Sequence, residues 1–213
     1  MIAVVFNAIH PRASSASLND TTALLRIVAG SGSWRVVHLA SVAATLTGAV
    51  AVVIILWSMT LQGSNRWAVV ALLLVVITTP ILLRSVGLDG FHKSIADRWA
   101  HAGGDRDMVV SAATALRSVD IAVLNVVMIG QFGLTAVLLG VASWSSAMYG
   151  KPIGLVVIAG GALGVACGVI QALSGRLTPF SYLVLLTALL ALFTIWLFVA
   201  SIVAWRRAEQ FVR

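Results

Sequence analysis

The apolar positions of this chain fall in blocks. Five stretches contain no Asp, Glu, Lys or Arg: 36–65, 67–83, 121–150, 152–175 and 177–205. Each reaches the roughly 17–25 residues that a helix needs to cross about 30 Å of hydrocarbon. Within them the apolar residues do not alternate as strand positions do. Backbone groups in lipid must be satisfied inside their own segment, so runs of this kind predict helices. Spans are expected at about 36–58, 67–86, 120–142, 153–173 and 182–205. Ahead of them MIAVVFNAI is apolar for nine residues, then stops at His10-Pro11. Nine residues make about 14 Å of helix. They predict a half-span over 1–9, either the end of a helix that starts upstream or a half-inserted stub.

The polar positions concentrate between the second and third spans. Residues 85–107 hold four of the seven acidic residues and two of the four histidines. Phe91, Ile95 and Trp99 recur at i, i+4 and i+8, which predicts a helix over 90–101 with one apolar face. Lys93 and Asp97 form an i, i+4 pair on a more polar face. The pattern is that of a helix lying on a membrane surface, ended by Gly103-Gly104. A second short helix over 106–118 leads into the span after Asp120, so 87–119 forms a surface segment. Another short helix is expected over 20–29, capped by Asn19 or Ser17 and ended by Gly30. Its Leu24, Leu25, Ile27 and Val28 suit an interface. The fold class is all-α: a polytopic transmembrane helical bundle in a single domain over 1–213. It has five full spans plus an N-terminal half-span, with interfacial amphipathic helices.

Composition removes the soluble alternative. Charged residues make up 10% of the chain and hydrophobic residues 60%, against about 25% charged in soluble domains. The mean hydropathy is +1.04. The net charge of +7 would raise nucleic acid as a partner in a soluble protein. Here the arginines stand mostly at the ends of apolar runs, where they anchor to headgroups, so the expected partner is the lipid bilayer and not nucleic acid. Alternating spans put Trp57, Trp67, Trp144, Tyr149 and Trp205 at one interface and Trp34, Trp99 and Tyr182 at the other, a double aromatic belt. Arg66, Lys151, Arg206, Arg207 and Arg213 lie on the side with short connections, which places that side and the C-terminus in the cytoplasm of a bacterial cell. The lone cysteine, Cys167, closes no intrachain disulfide.

Away from their ends the spans carry only neutral polar residues. Thr78, Thr79 and Pro80 interrupt the second span, where proline removes a helical hydrogen bond. Asp120, Gln131 and Thr135 share a 60° sector of the third. In the fourth, Gly160, Gly164 and Gly168 repeat at i, i+4 and i+8, with Ala172 following, a ridge that lets another helix approach closely.

Several short pieces resemble an uncharacterised group of bacterial multi-pass membrane proteins of actinobacterial type. They are His10-Pro11, then Trp34 with Val37-His38-Leu39, Leu88-Asp89-Gly90, Ala96-Asp97 and Trp99-Ala100. The Tyr-Pro pair typical before the fifth helix becomes Tyr149-Gly150-Lys151-Pro152. The resemblance implies six helices with the first cut short here. It implies no activity.

Alternation of the spans brings His10, His38, Asp89 and His92 to one membrane face, each near a span end. Three imidazoles and a carboxylate are a ligand set for zinc or another divalent metal, with Asp120 as an outer partner. The competing reading makes them interfacial groups that cap helix ends. The span interiors lack the ionisable residues that mark ion pathways. No GxSxG, P-loop, GxGxxG or CxxC occurs, and Glu209 is the only glutamate, so the residues do not point to an enzyme. What they favour is a binding or accessory membrane role, with a membrane-protein partner or a second copy. The alternatives are a metal-binding membrane protein and a transporter of a neutral or lipidic molecule.

Overall fold

The computed structural model describes residues 19–61, 65–146, 149, 151–175, 195–196, 198–203 and 206. All regular structure among them is helical. In chain order come α1 (Thr21–Gly30), α2 (Trp34–Leu61), α3 (Arg66–His101) and α4 (Arg106–Ile129). A π-helical turn at Gly130–Thr135 joins α4 to α5 (Ala136–Trp144), and α6 (Lys151–Ser174) follows. Among the described residues, four helices are long and apolar enough to cross a membrane: Trp34–Leu61, Arg66–His101, Arg106–Trp144 and Lys151–Ser174. The half-span over 1–9, and with it His10, lies outside the described residues. So does most of the span expected at 182–205, although residues 195–196 and 198–203 are helical. Trp196 and Ala200 are buried in the main core.

Two differences from the sequence pattern matter for the site. The first is α3, which runs unbroken for 36 residues through Gly87 and Gly90. At 1.5 Å per residue its contour is about 54 Å, and the helix expected over 90–101 continues the preceding span without a break. Two glycines weaken a helix by about 1 kcal/mol each, yet packing overrides that preference. A Cβ on Gly90 would lie 3.1 Å from His38 Cβ, so the missing side chain is what lets α2 lie against α3. The buried residues on this part of α3 are His92 and Ala96, while Phe91 is exposed. The second difference is α4, which is continuous from Arg106 through Asp120, so no separate short helix precedes the span.

The helices meet in two main cores. Val52, Leu56, Met59, Ala71, Val75 and Leu139 bury one end of the bundle with Trp196. There Asn65 caps α3 by accepting from Ala68 N at 3.3 Å and donating to Ala142 O at 2.9 Å, tying α3 to α5. At the other end Leu25 and Val28 of α1 pack with Trp34, Ala96 and Ala113. Only those two of its apolar residues are buried. The cap of α1 is Asp20, which accepts from Thr22 N and Ala23 N, in place of Asn19 or Ser17. Lys93 Nζ donates to Ala29 O at 2.8 Å and pairs with Asp97 at 2.5 Å. A cation at the carbonyl end of α1 satisfies an orphan acceptor and opposes the helix dipole.

Between the cores α6 packs on α4, the π turn and α5. Its buried line is Gly154, Val157, Gly161, Gly164, Gly168 and Gln171. The steps alternate three and four residues, the 3.5-residue period of paired helices. Gly164 and Gly168 stand on that line, Gly160 is buried beside it, and Ala172 is exposed. The approach is backbone to backbone. A Cβ on Gly164 would meet Phe132 O at 2.5 Å, and one on Gly154 would meet Gly140 O at 2.7 Å. Extra volume there has nowhere to go. Gln131 and Thr135, on the π turn, are buried, and the Thr78 hydroxyl meets the Gln131 amide oxygen. Neutral polar groups of facing helices thus pair within the apolar part of the bundle.

Candidate metal centre

Three helices bring the polar cluster together at the α1 end of the bundle. His38 comes from the second turn of α2, Asp89 and His92 from neighbouring turns of α3, and Asp120 from α4. On α3 the i, i+3 spacing sets both side chains on one face. Asp89 is six residues past Leu83, the last residue of the charge-free run, which is about 9 Å of helix. His92 is the centre. Its Nδ1 lies 3.4 Å from Asp89 Oδ1 and its Nε2 lies 3.0 Å from Asp120 Oδ2. His38 Nε2 stands 3.7 Å from Asp89 Oδ2.

The exposures are graded. The His92 and His38 side chains are 6% and 7% exposed, Asp120 15%, and Asp89 39%. Asp89 therefore forms the rim, and the others lie behind it. Ligand atoms of Asp89, His92 and Asp120 all lie within 4.8 Å of one another. Neither ring nitrogen of His92 and neither oxygen of Asp120 has an aligned hydrogen bond, although all are buried. Buried polar atoms are normally paired, because desolvation without a partner costs about 1–3 kcal/mol. Here the nitrogens and oxygens are close without pointing along donor–acceptor lines. The His92 ring stands between the two carboxylates, with one nitrogen toward each.

The chain matches no protein-family model, no curated protein and no solved structure.

Of the four residues singled out by alternation, His38, Asp89 and His92 meet, and His10 lies outside the described residues. Asp120, read from the sequence as an outer partner, is the closest carboxylate to His92. Two participants gave no signal as such. Trp34, an interfacial tryptophan by sequence, donates its indole N–H to Asp89 O at 2.8 Å. Gly90, next in the chain, makes room for His38. The LDG run held a hint, since a glycine inside a helix costs stability unless something packs against it.

Proposed function

We propose that this is an integral membrane protein in a binding role, and that what it binds is a divalent metal ion held by Asp89, His92 and Asp120. Membrane residence rests on the four long apolar helices. The metal reading rests on one observation: His92, buried against two carboxylates, makes no aligned hydrogen bond to either. Imidazole and carboxylate together suit divalent ions, and a cation at the cluster takes the lone pair of one ring nitrogen together with those of carboxylate oxygens.

Elemental analysis of the detergent-purified protein tests this directly. The expected result is near one metal per chain, lost on chelation and absent from His92→Ala. Protein that neither carries nor takes up a divalent ion overturns it.

The short connections, with Arg66 and Lys151, face the cytoplasm, so the metal centre faces outward. A Gly104→Cys variant should then react with an impermeant thiol reagent added to intact cells. Labelling only after the cells are opened reverses the orientation.

A further inference from the structure

Asp89 is gripped from α2 at two points, one on its backbone and one on its side chain. The Trp34 indole N–H donates to Asp89 O at 2.8 Å. One turn further along α2, His38 Nε2 forms an ion pair with Asp89 Oδ2 at 3.7 Å. The two gripping residues brace each other. His38 Nδ1 lies 2.7 Å from Trp34 O, and a carbonyl oxygen can only accept, so the ring donates there. The rings pack with centroids 4.6 Å apart, and both residues are buried. A Cβ on Gly90 would lie 3.1 Å from His38 Cβ, so α2 approaches closely enough for the ring to reach the carboxylate.

This arrangement divides the two oxygens of Asp89. Oδ2 is turned to His38, and Oδ1 is turned to His92, 3.4 Å from Nδ1. Without such a hold the group would have a choice of rotamers, because the Asp89 side chain is 39% exposed where that of His92 is 6%. His38 removes the choice. Metal-ligating carboxylates are commonly held in this way, by an outer group that binds the oxygen turned away from the ion.

We infer, building on the metal reading above, that His38 is a positioning residue for the ion site. It stays outside the ligand set of Asp89, His92 and Asp120, holds Oδ2 of Asp89, and so presents Oδ1 alone to the ion. Trp34 steadies the turn of α3 from which that oxygen is offered. The second helix thus contributes to binding without touching the ion.

Two amides separate the two ends of the ring. The amide nitrogen of asparagine reaches about as far from the backbone as Nδ1, and that of glutamine about as far as Nε2. His38→Asn therefore keeps a donor for Trp34 O and leaves Asp89 Oδ2 without one, whereas His38→Gln returns a donor to Oδ2. The chelator-stripped full chain is titrated with Zn2+ by calorimetry, and the visible absorption of Co2+-loaded protein reports the donor set. His38→Asn should weaken Zn2+ by about 10- to 100-fold, the scale on which outer partners act, and His38→Gln should recover most of that loss. At saturation with Co2+, wild type and both variants should give one spectrum, since no ligand has changed. Should His38→Asn not fold, Trp34→Phe takes its place; it removes the other hold on Asp89 and should weaken Zn2+ on the same scale. A wild type that binds neither ion defeats the metal reading itself. If wild type binds but the weakened variant matches it, or if His38→Gln is no tighter than His38→Asn, His38 positions nothing and only this inference falls. A Co2+ spectrum that changes in either His38 variant makes His38 a ligand and overturns the positioning role as well.

Discussion

Two glycines of this chain sit in helices for opposite reasons, and alanine tells them apart. At Gly164 a Cβ would lie 2.5 Å from Phe132 O, while at Gly48 it would meet nothing within 4 Å. Gly164→Ala should cost about 1–3 kcal/mol through overpacking. Gly48→Ala should stabilise by about 0.5–1 kcal/mol, since alanine orders a helix more cheaply. Thermal unfolding in detergent reads both, and equal shifts would mean that α6 does not pack where described. The sequence showed this ridge by its small residues. It did not show the step, because Gly160, Gly161, Gly164 and Gly168 fit a repeat of four as well as an alternation of three and four. Only the facing backbone of Phe132, Gly133 and Gly140 selects the second.

Spans were legible because lipid demands about 20 apolar residues in a row, and charge-free runs supply them. The continuity of α3 was not, because Gly87, Gly90 and the polar residues between 85 and 101 lower the local preference for one straight helix. What overrides them is α2 lying against Gly90, a contact 52 positions away in sequence. Spin labels at positions 67 and 100 should therefore report an axial separation of about 50 Å, from 33 residues at 1.5 Å each. A distance below about 40 Å would mean a bend. The shorter α1 is held by less. Lys93→Met removes its bond to Ala29 O, a charged hydrogen bond worth about 1.5–3 kcal/mol. The expected result is faster protease cleavage between residues 30 and 33, with the melting of the apolar bundle nearly unchanged. Loss of the whole fold would show that α1 is integral to it.

Across the whole molecule, the cluster joins residues that no local pattern relates: His92 and Asp120 are 28 positions apart on antiparallel helices. Their approach was foreseeable only as far as alternation puts both at one end. The same separation predicts a global effect. An ion that binds the folded chain alone stabilises it by about 2.7 kcal/mol at one hundred times its Kd. Saturating Zn2+ should raise the melting temperature of wild type and leave His92→Ala where it was. Equal shifts in both would place the ion elsewhere.

The glycine line has a mechanical meaning. Where α5 and α6 touch through bare backbone, neither can slide without lifting off the other, so the two behave as one dovetailed block. The α2–α3 pair is held to that block by ordinary side chains, which can re-pack. Whatever relative motion the bundle has is therefore concentrated at the joint between pair and block. His38, Asp89 and His92 stand on the pair, and Asp120 stands on α4, which runs on through the π turn into the block. An ion shared among them would act as a rivet. Spin labels on α3 and α6 should show a narrower spread of distances when Zn2+ is bound, and an unchanged spread would mean the joint is already rigid without it.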